Sequence, residues 1–137
     1  QETSKKDFIV NYDQNSNPLN ITKSIEIVYG LRNFIGNANK FSENKIFINI
    51  KSDSDFTEVM IEDDGEGYPK DVLSKIGEPY IKSFKSSIKS KSGLGLGIFI
   101  GKTLLEKNYA NILCRNSQTR SGAEVSIKWK NEDLLKL

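Results

Sequence analysis

From Ser24 to about Phe41, apolar residues recur every three or four positions. Ile27, Leu31, Phe34, Ile35 and Ala38 fall on one side of a helical wheel, which predicts a helix buried along that side. "KIFINIK" alternates instead, with Ile46, Ile48 and Ile50 on every second residue, and "TEVMIED" follows the turn-like "SDSDF". The pair reads as a β-hairpin packed on one face. "FIV", Phe8 to Val10, reads as a short strand. "DDGEGYP" is a glycine-rich turn closed by Pro69, and "KDVLSKIG" a short helix ending at Gly77. "EPYIKSFKSSIKSKS" is too rich in Ser and Lys to pack and reads as a mobile loop. "GLGLGIFIGKTLLEKN" begins a second long helix that ends near Asn108. "NILCRN" and "AEVSIKWK", joined by "SQTRSG", read as two more strands, followed by a short polar tail. This order predicts an α+β fold, an α/β sandwich with helices on one face of a mixed sheet.

Composition narrows the classes. At 137 residues, residues 1–137 form one domain, long enough for a buried core. The 20 basic and 18 acidic residues nearly cancel, and the net charge of +2 argues against nucleic acid as the main partner. Cys114 is the single cysteine, so no internal disulfide forms and a reducing compartment is expected. No apolar run approaches the ~20 residues that span a bilayer, so this segment is expected to make no direct membrane contact. The chain begins "QETSKK", without methionine, as a piece of a longer protein would. It contains no histidine, so any mechanism that uses an imidazole must take it from elsewhere.

The first helix has an odd polar side. Asn33, Asn37 and Lys40 fall within about 60° of one another on the wheel, opposite the apolar arc. A polar row usually does no more than face water. Asparagine, however, serves a solvated helix face less well than Glu, Lys or Gln, and Gly30 and Gly36 thin the surface beside it. Amide oxygens on a thin surface suit a bulky polar ligand or a hard cation. Mg²⁺ accepts a neutral amide oxygen while keeping water and phosphate oxygens as its other ligands, and Lys40 would meet a phosphate as a point charge. Asn39 points about 120° off this row and takes no role.

Two glycine motifs follow. Asp63, Gly65 and Gly67 form D-x-G-x-G just after a strand. The bland reading is an Asp-Gly turn. The functional one uses the carboxylate, an acceptor-only group, to receive the exocyclic amine of adenine, with the glycines admitting a flat base close to the backbone. Gly93, Gly95 and Gly97 open the second helix, whose first N–H groups and dipole favour phosphate. Neither a dinucleotide-binding G-x-G-x-x-G after a strand nor a complete P-loop G-x-x-x-x-G-K-[ST] is present: Gly101-Lys102-Thr103 occurs, but Leu96 stands where the first P-loop glycine would be. The ordered trio is far more specific than any member: an amide-lined helix, D-x-G-x-G, then a lysine-rich loop into G-L-G-L.

"NFIGNANKF", "DDGEGYP", "EPY" and "SGLGLGIFI" resemble the N, G1, F and G2 boxes of the catalytic ATP-binding domain of sensor histidine kinases. That domain belongs to the gyrase, Hsp90, histidine kinase and MutL superfamily and has the Bergerat fold. The resemblance runs from about Ile25 to Trp129. "KIGEPY", "GLGLGIFIGKTLLE" and "SGAEVSIKW" are similar to the RegB/PrrB-type redox-responsive kinases. It implies a mixed, mostly antiparallel sheet, helices on one face, a core over about 19–130, and an ATP lid over about 81–92.

By this resemblance the cofactors are ATP and Mg²⁺. Asn37 would ligate Mg²⁺, Asn33 would support the metal and phosphates, and Lys40 would contact phosphate. Phe41 would lie near the base or sugar, and Asp63 would bond the adenine amine in a pocket shaped by Gly65 and Gly67. Gly93, Leu94, Gly95 and Leu96 would wrap the phosphates, and Tyr80 matches the F-box aromatic. Gly77, Lys91 and Ser92 depart from common family residues at the lid. The reaction implied is transfer of the γ-phosphoryl group to a histidine on a separate dimerisation and phosphoacceptor domain, whose helices this chain lacks. A response regulator would act downstream, and the domain would be cytoplasmic, with a parent able to be anchored in the bacterial inner membrane. Asn33 stands where ATP-hydrolysing relatives carry a glutamate base, which counts against an ATP-driven machine or a serine kinase that binds a sigma factor. Intact Asp63, Asn37 and both glycine boxes count against a degenerate, purely regulatory domain. Cys114 and Trp129 read as packing residues, and Lys82, Lys85, Lys89 and Lys91 first of all as a solvated loop.

Overall fold

A computed structural model describes residues 6–12, 24–73, 94–119 and 121–136. Along the chain run β1 (Asp7–Tyr12), α1 (Ile25–Phe41), β2 (Lys45–Ser52), β3 (Phe56–Asp63) and α2 (Lys70–Leu73). They are followed by α3 (Leu94–Lys107), β4 (Asn111–Asn116), β5 (Ala123–Lys130) and α4 (Asn131–Leu134). The five strands form one sheet in the order β1-β2-β3-β5-β4. Its β1–β2 pairing is parallel and its other pairings are antiparallel. This is the mixed, mostly antiparallel sheet expected from the sequence.

Helix α1 starts where Ser24 Oγ accepts from the Ile27 N–H at 3.3 Å, and it buries Ile27, Gly30, Phe34 and Ala38. At its other end the Lys6 ammonium donates to the carbonyls of Asn39 and Ser42. A cation there satisfies carbonyls that the helix cannot pair and complements its dipole.

Alternation in β2 and β3 sets the register of the core. Ile48 lies opposite Ile61, and Ile61 opposite Val125, so one apolar layer crosses three strands. Phe34, Ile46, Ile61, Ile98, Leu105 and Ile127 are fully buried. Each such side chain contributes about 1.5–3 kcal/mol. The same register puts Asp63 opposite Ile46, at the end of this layer. A carboxylate there is buried because its strand mates are core.

The two long helices run antiparallel over the sheet. Lys107 at the end of α3 pairs with Glu26 at the start of α1, at 2.8 Å, while Gly97 lies against Asn37. Gly101 makes the approach possible, because a Cβ there would stand 2.8 Å from Phe34 Cε2.

Two expectations needed correction. The first strand extends beyond Phe8–Val10 to Asp7–Tyr12, because each of its residues pairs with β2. The tail after Trp129 is not simply polar: it forms α4. Asn131 Nδ2 donates to the Asp53 carbonyl, its Oδ1 accepts from Thr57 Oγ1, and its N–H donates to the Asp55 carbonyl. These bonds tie α4 to the β2–β3 turn, and Leu134 is buried. Trp129 is a packing residue as expected, with Nε1 donating to the Asn108 carbonyl at 3.0 Å. The predicted helix to Gly77 is described only as far as Leu73. The lid over 81–92, its lysines, Tyr80, Gly77 and Gly93 lie outside the described residues.

Candidate functional site

Below α1, a cavity of about 470 Å³, including the part open to solvent, is lined by Asn37, Phe41, Asp63, Gly67, Tyr68 and Ala123, with core side chains behind.

Asp63 is only 4% exposed. Its Oδ1 accepts from the N–H of Gly65 at 2.9 Å and of Ala123 at 3.2 Å. Among the described residues no hydrogen bond reaches Oδ2, which remains for a donor in the cavity. Burial pushes the carboxyl above the usual aspartate range, more than those two N–H groups hold it down; nearby Asp64 adds to the rise and Lys6 opposes it.

Its neighbour Asp64 has the opposite character. Its carboxylate accepts from the N–H groups of Glu43, Asn44 and Lys45 at 2.9–3.2 Å. Its largest single influence is desolvation, which raises its pKa, but these backbone bonds together outweigh it and hold the group below the usual range. Asp64 therefore fastens the exit of α1 to the turn. Two adjacent carboxylates are given different tasks by their surroundings.

The glycines of the turn are required by protein neighbours. A Cβ on Gly65 would stand 2.2 Å from the Phe41 carbonyl oxygen, so this glycine lets α1 and the turn touch. Gly67 has φ +83° and lies under the Asn116 carboxamide, 2.7 Å from where its Cβ would be. Tyr68 is buried on the cavity wall, and the Cys114 thiol is also largely buried. Burial pushes that thiol up to about 11, which makes Cys114 a packing residue rather than a reactive one.

On the α1 side, Asn37 and Phe41 face the cavity. Asn37 Nδ2 is buried with no hydrogen-bond partner among the described residues, an uncommon condition for an amide. A Cβ on Gly97 would stand 3.2 Å from Asn37 Oδ1 and 3.4 Å from Nδ2, so the amide lies against the first turns of α3. Leu94, Gly95 and Leu96 form the start of that helix, where N–H groups have no intrahelical acceptor. Lys40 is exposed, with Nζ 5.5 Å from the Phe41 ring centroid. Asn33 is not on the cavity wall: its Nδ2 donates to the Tyr29 carbonyl at 2.8 Å and its Cβ adjoins Gly101.

The donor set suits a magnesium–phosphate group better than a bare metal ion. Among the described residues no cluster of His, Cys, Asp or Glu could hold a metal. Asn37 Nδ2, unpartnered among the described residues, is a donor and, beside helical N–H groups, fits an anion's oxygens. A cation brought with phosphate and water as its other ligands would be held by the amide oxygen.

Sequence reasoning missed Tyr68, Asn116 and Gly122 as parts of the site. A Cβ on Gly122 would stand 2.0 Å from the Asp63 carbonyl oxygen. The glycine of "SGAE" between two predicted strands was the available signal.

The model of the histidine kinase-, DNA gyrase B- and HSP90-like ATPase family matches residues 22–133. Sensor histidine kinase RegB of Cereibacter sphaeroides is 34% identical over 131 residues, covering 84% of this chain and 28% of that protein. The chain thus spans little more than a quarter of that relative. The catalytic domain of histidine kinase ThkA superposes with a TM-score of 0.71 at 22% identity, covering 91% of this chain and 80% of that one. Full-length ShkA, solved in complex with AMPPNP, superposes with a TM-score of 0.65 at 21% identity, covering 89% of this chain and 25% of that one. Motif order, sheet topology and these matches agree: the chain belongs to the histidine kinase-, DNA gyrase B- and HSP90-like ATPase family, as an ATPase domain of the sensor histidine kinase type.

Proposed function

We propose that this domain binds ATP with Mg²⁺ and donates the γ-phosphoryl group to a histidine on a separate dimerisation and phosphoacceptor domain of the same sensor kinase. The observation that carries the reading is the pairing, on one cavity, of a buried carboxylate with an open oxygen and an amide whose buried Nδ2 has no hydrogen-bond partner among the described residues. Asp63 accepts from the exocyclic amine of adenine, and Tyr68 and Phe41 flank the base. Asn37 would hold Mg²⁺, which when bound neutralises phosphate charge. The opening turn of α3 with Gly93 receives the phosphates through backbone N–H groups, Lys40 adds a positive charge, and Asn33 supports the arrangement from the α1–α3 contact.

Phosphoryl transfer needs chiefly positioning and charge stabilisation. An imidazole nitrogen of the partner domain attacks the γ-phosphorus, the bond to the bridging oxygen breaks, and ADP leaves. Asn33 cannot serve as a general base at neutral pH, so water is a poor competitor for the phosphoryl group. The lid over 81–92, the downstream response regulator and a cytoplasmic position belong to the same reading, which the RegB similarity supports.

Displacement of a fluorescent ATP analogue, with Mg²⁺ and with chelator, tests it. Tight binding that weakens at least tenfold on chelation and in Asn37→Ala is expected. Binding indifferent to both refutes the site, and rapid steady hydrolysis by the isolated domain refutes the preference for histidine.

A further inference from the structure

The turn that carries Asp63 and Tyr68 belongs to no strand after Asp63. Its geometry has to be imposed from outside, and the clearest external grip comes from the end of β4. Asn116 Oδ1 accepts from the Tyr68 N–H at 2.6 Å, and its Nδ2 donates to the Tyr68 carbonyl at 3.1 Å. One carboxamide thereby occupies both hydrogen-bonding groups of one residue, as a neighbouring strand would.

The surroundings make this grip specific. Gly67 adopts φ +83°, and no side chain could stand there, because a Cβ would come 2.7 Å from Asn116 Oδ1. Asn116 is paired in register with Ala123, whose N–H holds Asp63 Oδ1. Ser121 Oγ, between them in the chain, donates to the Gly65 carbonyl at 3.4 Å. The β4–β5 hairpin therefore holds the turn at Asp63, Gly65 and Tyr68 together.

We propose that Asn116 is a positioning residue of the base pocket, which sets the Tyr68 ring against the Asp63 carboxylate and so sharpens the preference for a 6-amino purine. The inference rests on the nucleotide reading above. Without the carboxamide, two buried backbone groups of Tyr68 lose their partner, and the ring is no longer held at a fixed distance from Asp63. A base with an amine and one with a carbonyl at that position are then distinguished less well.

The test compares the whole chain with Asn116→Ala and Asn116→Asp, using ATP and GTP to displace a fluorescent ATP analogue. Asn116→Asp keeps an acceptor for the Tyr68 N–H but cannot donate to its carbonyl. The expected result is a drop of at least fivefold in the ratio of ATP to GTP affinity for Asn116→Ala, with Asn116→Asp between it and the parent. A general loss of structure would weaken both nucleotides alike, so an unchanged ratio overturns the proposal whatever the absolute affinities. Hydrogen exchange of the Tyr68 amide supplies a second reading that needs no nucleotide. It should quicken at least tenfold in Asn116→Ala, and unaltered protection also overturns the proposal. If Asn116→Ala does not fold, Asn116→Asp is judged by the same two criteria. If the parent chain itself fails to prefer ATP, the nucleotide reading fails, and the exchange rates alone judge the clasp.

Discussion

Replacing Asp63 with Asn should weaken ATP binding by two to three orders of magnitude while making the free protein no less stable, and at neutral pH somewhat more so. The substitution is isosteric, and the Asn oxygen can keep both bonds that Oδ1 now accepts, from Gly65 and Ala123. What changes is the atom turned to the cavity, from an acceptor to an NH₂ donor. A charge-assisted hydrogen bond to the adenine amine, about 1.5–3 kcal/mol, is lost. Two donors then face each other, which adds an unsatisfied group at about 1–3 kcal/mol. Allowing for relaxation, about 3–4 kcal/mol follows, or a weakening of roughly 150- to 1,000-fold. Folding responds in the other direction. Burial raises the Asp63 pKa, so the ionised carboxylate costs stability at neutral pH, and a neutral amide removes that cost. Titration calorimetry with ATP and thermal unfolding without nucleotide measure the two halves. Binding within about threefold of the parent would refute the role of Asp63 as the base acceptor.

The same shift predicts a pH dependence. An amine donor favours ionised Asp63, so ATP affinity is full above its raised pKa and falls as pH drops through it, a fall absent from Asp63→Asn. Calorimetry across acidic pH compares the two proteins. Asp64 behaves oppositely. Its lowered pKa contributes stability that is present above the ordinary aspartate range and lost as pH falls through the depressed value. Asp64→Ala, discounted for partial exposure, should cost about 1–2 kcal/mol in urea unfolding at neutral pH, and no loss would contradict the backbone bonds assigned to it. Gly101→Ala gains about 1 kcal/mol of helix propensity but drives a Cβ to 2.8 Å from Phe34, which is 1% exposed and has nowhere to go. Overpacking of about 1–3 kcal/mol should win and lower the unfolding midpoint; a rise would mean that the helices part easily. Cys114, with its thiol pushed up to about 11, should react with iodoacetamide at pH 7.5 more than about a hundredfold slower than a free thiol, as peptide mass spectrometry would show.

The sequence made the long elements plain because their periods are unambiguous. Helical spacing from Ile27 to Ala38 and alternation from Ile46 to Ile50 each have one sensible reading, and both elements occur. Asp63 and Asn37 were also legible, since a carboxylate ending an apolar strand and amides within a helix break local preference. The helical wheel grouped Asn33 with Asn37 by angle alone. It is α3, with Gly101 and Gly97 at successive heights, that places Asn33 in the helix contact and Asn37 on the cavity. Gly65 and Gly67 were expected to make room for a base; what the sequence did not show is that their missing side chains also accommodate the Phe41 carbonyl and the Asn116 amide, with Gly67 on the cavity wall. Tyr68, Asn116 and Gly122 escaped notice for one reason. Their importance lies in partners that no local pattern announces.

The span of those partnerships bears on how the protein comes into being. Asp63 is fixed by Ala123, 60 positions later; Gly65 by Ser121, 56 later; and Tyr68 by Asn116, 48 later. Contacts of such sequence separation form slowly, after loop entropy has been overcome. During synthesis the segments that carry Asn37 and Asp63 leave the ribosome well before the hairpin that orders the turn. The nascent chain therefore has its helix, its first strands and its carboxylate, yet no defined receptacle for a base. Competence to hold nucleotide arrives only with the last strands, and a chain cut short before Ala123 would be synthesised without it.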